Sequence, residues 1–98
     1  MSTKVVHCEE APYDVYIGRP GPWGNPFEIG IDGTRAEVIE KYRIYMLTNT
    51  ELLSKLPELN GKVLGCWCKP KACHGDVLVE LLEVEQQKQI QQLLSFGS

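Results

Sequence analysis

Three of the four cysteines and one of the two histidines of this 98-residue chain lie in one short segment, GCWCKPKACHG, which starts at position 65. Cys66 and Cys68 are two positions apart, so they project to the same face if the segment is a strand. Cys73 and His74 follow where a helix is predicted to begin. Together the four side chains offer three thiolates and one imidazole, which is a complete ligand set for tetrahedral zinc.

The same cluster has two other interpretations, and the sequence leaves all three open. Cys73 would feel the positive end of the helix dipole and the charges of Lys69 and Lys71, which lower the pKa of a thiol. His74 would then act as its general acid or base, so that Cys73 and His74 form a catalytic pair. Alternatively, Cys66 is a buried core residue, which is a common position for cysteine, and His74 is a polar residue at a helix end.

A second motif, GRPGPWGNPF, starts at position 18 and contains too many glycines and prolines for regular structure. It lacks the pattern of a P-loop or of a dinucleotide fingerprint. Arg19 can bind a phosphate bidentately or form a salt bridge, and Asn25 can donate and accept as nucleobase recognition requires. Trp23 can stack on a base or anchor the loop to the core. With Lys69 and Lys71, these residues are predicted to bind a small anionic or nucleotide-like ligand.

The elements that must position these residues follow from the apolar patterns. Strands are predicted over 3–8, 13–19 and 61–68, and helices over 34–49, 50–59 and from 74 to about 94. Thr34 and Glu37 form a capping box for the first helix, and Thr50 is the expected cap of the second. The pattern predicts a single small α/β domain over 1–98, with a three-stranded mostly parallel sheet, flanking helices and the order β-β-α-α-β-α.

The helical crossover between the second and third strands favours parallel pairing. The loops that begin at Arg19 and Cys68 then leave the same edge of the sheet, where open α/β folds bind their ligands. The two motif loops are therefore predicted to meet, although more than forty positions separate them. An anion is expected between Arg19 and the first turn of the helix that begins near His74.

Composition narrows the class of protein. The net charge of −3 argues against binding to long duplex nucleic acid, which usually requires a basic face. No apolar run reaches the length of a membrane span, and the N-terminus lacks the apolar region of a secretory signal. The expected location is the cytoplasm, where clustered cysteines indicate metal or reactive thiol rather than disulfide. The glutamine-rich segment from about 83 to 98 is expected to be a partly exposed helical extension that could contact a protein partner.

The segments VYIGRPGPWGNPF, TRAEVIEKYRIYM and LNGKVLGCWCKPKACHGDVLVELL together resemble domain-of-unknown-function family 4326, whose members are short proteins of bacteria and their phages. The resemblance covers roughly Val15 to Leu82 and implies one compact α/β domain. It implies no established reaction. The positions that match the family pattern are Arg19, Trp23, Gly24, Asn25, Pro26, Cys66, Cys68, Pro70, Cys73, His74 and Gly75.

Two functions of different classes follow from these observations. In the first, the Cys/His site of a small cytosolic protein binds or processes a nucleotide-like or phosphorylated ligand. In the second, the chain is a non-enzymatic phage or bacterial adaptor whose cysteine cluster is a structural zinc site. An enzyme requires Cys73, His74, Arg19 and Asn25 to converge around an open space, whereas an adaptor can have them packed or filled by metal.

Overall fold

The computed structural model describes residues 3–96, with side chains through residue 85 and at residue 87. The elements appear in the predicted order, and the strands are shorter than the sequence indicated. They are β1 (Lys4–His7), β2 (Val15–Tyr16), α1 (Arg35–Thr48), α2 (Thr50–Lys55), a 3-10 turn (Leu56–Leu59), β3 (Val63–Cys66) and α3 (Gly75–Phe96).

The three strands form one parallel sheet in the order β1-β3-β2. Val5 of β1 and Val15 of β2 both pair with Leu64, so β3 is the central strand. The apolar sequence of β3 suits this place, because three of its four residues are buried. The predicted parallel pairing of the second and third strands is confirmed.

The strand β2 has only two residues, although its hydrogen bonding extends one position further at each end. The backbone N–H groups of Asp14 and Ile17 both donate to β3, over 2.8 and 2.9 Å. Gly18 then accepts from Gly21 in a tight turn, which ends the pairing. The Gly–Pro motif thus leaves the sheet directly at its carboxyl edge.

The helices α1 and α3 pack against the face of the sheet that carries Leu64 and Cys66. Their inner faces show helical spacing of apolar side chains. Burying each large aliphatic side chain stabilises the fold by about 1.5–3 kcal/mol. The fully or nearly fully buried residues of this core include Ile17, Val38, Tyr42, Met46, Leu64, Cys66, Cys73, Val77, Leu78 and Leu82.

The caps of α1 and α2 follow sequence rules with one correction. The hydroxyl of Thr34 accepts from the backbone N–H of Glu37, and the Glu37 carboxylate accepts from that of Thr34, so the predicted capping box is confirmed. The cap of α2 is Asn49 rather than Thr50, which is already helical. The predicted helix over 50–59 is divided, because Pro57 lacks an N–H and the chain continues as a 3-10 turn.

The C-terminal helix α3 extends beyond the part that packs on the sheet. Its side chains at Glu83, Val84 and Glu85 are exposed, as is Gln87. The later side chains, at which a protein contact was expected, lie outside the described residues. Within residues 3–96, no helix is both long enough and apolar enough to cross a lipid bilayer.

Candidate metal and ligand site

A cleft of about 390 Å³ lies at the carboxyl edge of the sheet, and both motif loops line it. Its volume falls within the range of small-molecule sites in proteins. The prediction that the two loops meet is therefore confirmed. The first loop contributes Gly18, Arg19, Asn25 and Phe27, and the second contributes Cys66, Trp67, Cys68, Cys73 and His74.

Three cysteines from the second motif form a compact cluster beside this cleft. The sulfurs of Cys66, Cys68 and Cys73 all lie within 4.8 Å of one another. Cys66 and Cys73 are buried and their sulfurs are 2.8 Å apart, whereas Cys68 is partly exposed. All three are free thiols, as is Cys8. The three sulfurs are close enough to hold a metal ion. The cysteines lie at the end of β3 and just before α3.

The two buried thiols share one hydrogen bond, which shifts their pKa values in opposite directions. Accepting a hydrogen bond from Cys73 stabilises the thiolate of Cys66 and lowers the pKa of Cys66 to about 6. The hydrogen bond to Cys66, together with burial, raises the pKa of Cys73. The raised pKa of Cys73 does not favour the interpretation in which this residue is an activated thiol, because the hydrogen bond to Cys66 and burial both oppose its ionisation.

His74 connects the two motif loops. Its Nε2 lies 2.7 Å from the backbone oxygen of Ile17, at the end of β2. Because a carbonyl oxygen only accepts, Nε2 carries the proton. Burial lowers the pKa of His74, so the ring is neutral and its Nδ1 carries a lone pair. That nitrogen is 3.5 Å from the sulfur of Cys73. The imidazole thus adjoins the cysteine cluster through Nδ1, although the group of side chains close enough to share a metal ion comprises the three cysteines.

The first turn of α3 is occupied by groups of the protein itself. The Asp76 carboxylate accepts from the backbone N–H of Cys73 over 3.0 Å, and from the Lys69 ammonium over 2.6 Å. The sulfur of Cys73 accepts a weak hydrogen bond from the N–H of Gly75. Lys71 is exposed. The N–H group of Cys73 and the Lys69 ammonium, near which an anion was predicted, therefore already have a local carboxylate as their partner.

Two of the predicted ligand-binding residues anchor the first loop to α1. Trp23 is 7% exposed, and its backbone oxygen accepts from the buried hydroxyl of Tyr42 over 2.8 Å. Asn25 is also buried. Its amide donates to the backbone oxygen of Val38, and its oxygen accepts from the N–H of Phe27. Trp23 therefore does not offer a face for base stacking, whereas Asn25 still lines the cleft.

Arg19 lines the cleft and forms an ion pair with Glu28 over 3.0 Å. Both side chains are about half exposed, at 55% and 49%. An ion pair in such a solvated position is weak, so the guanidinium remains available to a stronger anionic partner. Arg19 can therefore form the salt bridge with Glu28 and still contact a ligand.

Arg35 and Trp67 also line the cleft, although neither was predicted to bind ligand. Arg35 is the first residue of α1 and donates to the backbone oxygen of Ala72, which joins the helix to the second loop. Trp67 follows Cys66 and is 56% exposed. Its position after a buried cysteine on a strand is a signal that it faces away from the core. No local pattern distinguishes Arg35 from other helix-starting residues.

Comparison with known proteins places this architecture in a family. The family model described as "Domain of unknown function (DUF4326)" matches residues 2–84, which include both motif loops. The chain is similar to the uncharacterised protein R718 of Acanthamoeba polyphaga mimivirus, with 36% identity over 72% of this chain and 68% of that protein. It is also similar to an uncharacterised 12.4 kDa protein of Enterobacteria phage T4, from the nrdA-td intergenic region, with 37% identity over 81% and 76%. No solved structure matches significantly.

Proposed function

Because this chain belongs to the DUF4326 family, a domain of unknown function, we propose its function from the residues of the cleft. It binds a small phosphorylated or nucleotide-like ligand there, beside a zinc ion held by the cysteine cluster. One observation supports this most directly: the same cleft is lined by three clustered cysteines and by two arginines, Arg19 and Arg35. Thiolates are ligands for a soft metal, and guanidinium groups bind phosphate.

The donor set fits zinc in type, and three of the four ligands that a zinc ion takes lie together. Cys66, Cys68 and Cys73 supply three sulfurs that lie close together, and zinc in proteins is usually four-coordinate. With Zn–S bonds of about 2.3 Å, ligand sulfurs in a tetrahedron are about 3.8 Å apart. The sulfurs of Cys66 and Cys73, now 2.8 Å apart, would separate when the ion binds. Cys68 is the most accessible of the three and borders the cleft.

The fourth ligand in this proposal is Nδ1 of His74. Histidine ligands usually donate their other ring N–H to a carboxylate or a backbone carbonyl, which orients the ring and fixes the tautomer. Nε2 of His74 donates such a hydrogen bond to the backbone oxygen of Ile17. The nucleophile role predicted for Cys73 is not part of the proposal, because the side chain is 1% exposed and its pKa is raised.

The anion-binding part rests on Arg19 and Arg35 rather than on the start of α3, where the Asp76 carboxylate already accepts from the N–H of Cys73. Each arginine has one nitrogen engaged, with Glu28 and with Ala72 respectively. A guanidinium carries five N–H donors, so each retains donors for a phosphate. The chain has a net charge of −3, yet two positively charged arginines line this one cleft.

The proposal is tested by calorimetric titration of the zinc-loaded protein with ribose 5-phosphate, AMP and pyrophosphate. Arg19→Gln and Arg35→Gln should each weaken binding about ten- to hundredfold, the scale of a charged hydrogen bond. The matched control is Arg43→Gln, since Arg43 pairs with Glu40 and Glu80 and does not line the cleft. Binding of none of these compounds, or equal losses in all three variants, would remove the anion site.

The adaptor interpretation keeps one observation in its favour. Two of the three clustered thiols are almost completely buried, which suits a metal that stabilises the fold. In that case α3, which continues beyond the matched residues 2–84, would serve a protein partner. Zinc in the purified protein without binding of any phosphorylated compound would favour the adaptor, whereas zinc with phosphate binding would favour the ligand site.

A further inference from the structure

Trp67 is an exposed aromatic residue among those that line the cleft. It follows directly on the buried Cys66, yet it is 56% exposed and lines the same cavity as Arg19 and Arg35. A tryptophan exposed to this extent offers a ligand a large aromatic surface. Trp67 is also the tryptophan that remains for ligand contact, since Trp23 is buried in the core.

The indole of Trp67 is held in one orientation by its neighbours. Its Nε1–H donates to the hydroxyl of Tyr16 over 2.7 Å, and that hydroxyl donates to the backbone oxygen of Arg19 over 3.1 Å. His7 packs edge to face against the indole, with ring centroids 5.8 Å apart. The Tyr16 hydroxyl lies where a Cβ at Gly18 would collide with it, so glycine at that position permits the arrangement. The exposed ring is therefore preorganised, which reduces the entropy cost of a contact.

We propose that the base of a mononucleotide stacks on the indole of Trp67 while its phosphate binds Arg19 and Arg35. This inference rests on the proposed function and specifies its ligand as a nucleoside phosphate rather than any phosphorylated compound. The hydrogen-bonded link through Tyr16 places the aromatic ring beside the backbone of Arg19, so a base and a phosphate of one ligand can be bound together. Stacking on a tryptophan is tolerant of base identity. The four common mononucleotides should thus bind with similar affinity.

The experiment compares AMP, CMP and the abasic analogue ribose 5-phosphate. In the wild type the nucleotides should bind about tenfold more tightly than ribose 5-phosphate, a ratio within the range of base–aromatic stacking. Trp67→Leu should remove that difference, so that it binds AMP, CMP and ribose 5-phosphate with similar affinity. Trp67→Phe, which retains an aromatic face, should keep the nucleotide affinity within about threefold of the wild type.

Tryptophan fluorescence provides an independent measurement. AMP should quench the emission of the wild type and leave that of Trp67→Phe unchanged, because the remaining Trp23 is buried away from the cleft. Ile44→Ala is the control for loss of an exposed apolar residue, since Ile44 is 57% exposed on α1 and does not line the cleft. It should bind AMP as the wild type does. Melting temperatures verify that every variant is folded.

The outcomes separate this inference from the proposed function. Equal binding of AMP and ribose 5-phosphate by the wild type would overturn stacking and leave a phosphate site. Unchanged discrimination in Trp67→Leu would overturn the role of Trp67 in the same way. If neither compound binds, both the inference and the proposed function fail.

Discussion

The imidazole of His74 donates from Nε2 to the backbone oxygen of Ile17 across 2.7 Å, and so joins the start of α3 to the end of β2. The same ring packs edge-on against Tyr42 of α1, with centroids 5.0 Å apart. One side chain thereby fixes the relative position of both motif loops and the helix behind them. It also directs Nδ1 toward the cysteine cluster.

Replacing His74 should therefore cost stability even without metal. In chelator-treated protein, His74→Phe leaves the carbonyl of Ile17 buried without its donor, which should lower the free energy of unfolding by about 1–3 kcal/mol. The control is His7→Phe, because the hydrogen bond that His7 accepts from Glu9 is exposed. Urea denaturation measures both variants. Equal losses in the two would show that the bond to Ile17 contributes nothing specific.

We expect the zinc content of the purified protein to depend on Cys68. Wild-type protein should purify with zinc, and a chelator should lower its melting temperature, because the binding energy of a structural metal is folding energy. Cys68→Ser should lose most of the zinc with little damage to the core, since Cys68 is only partly buried.

The matched control for this metal prediction is Cys8→Ser. Cys8 is also partly buried but does not belong to the three-cysteine group. Its replacement should leave the zinc content unchanged when both proteins are measured by elemental analysis. A metal-free wild type with reduced thiols, or an equal loss of zinc in both variants, would contradict the assignment.

The Gly–Pro loop depends on the hydroxyl of Tyr42. That hydroxyl is buried and donates to the backbone oxygen of Trp23, so Tyr42→Phe leaves an unsatisfied carbonyl in the core. The expected loss is about 1–3 kcal/mol of unfolding free energy. Tyr45→Phe is the control on the same helix, because no hydrogen bond of the Tyr45 hydroxyl occurs within the described residues. Thermal denaturation should separate the two variants, and a neutral Tyr42→Phe would refute the anchor.

The capping box of α1 should make the stability of the fold depend on pH in the acid range. Hydrogen bonds from Thr34 lower the pKa of Glu37 below its usual value near 4.5. A carboxylate with a lowered pKa stabilises the fold above its unfolded pKa, and that contribution is lost as the pH falls through the folded value. Glu37→Gln should therefore lose less stability than the wild type between pH 6 and pH 3. Melting curves across that interval test the difference, with Glu58→Gln as the exposed control.

The elements and their pairing could be predicted from the sequence, because they depend on local patterns. These patterns involve residues that are close together in the sequence. Examples are the apolar run of β3, the capping box of Thr34 and Glu37, and the helical crossover between strands. The parallel pairing then brought both motif loops to one edge, and the three cysteines to one place, as predicted. The cap of α2 was misplaced by one residue, since Asn49 and Thr50 are both good caps and only backbone geometry chooses between them.

What each site residue does was decided by tertiary contacts. The pKa of the Cys73 thiol is raised because it is buried and hydrogen-bonded to Cys66, seven positions away, although a helix begins just after it. Lys69 is engaged by Asp76 because the loop turns back on the helix start. Of the two alternatives for Trp23, the structure selects the anchor, because its backbone oxygen is bonded by a distant tyrosine, whereas Trp67 is left exposed. Residue type limits which chemistry is available, whereas burial and long-range hydrogen bonds select the group that provides it.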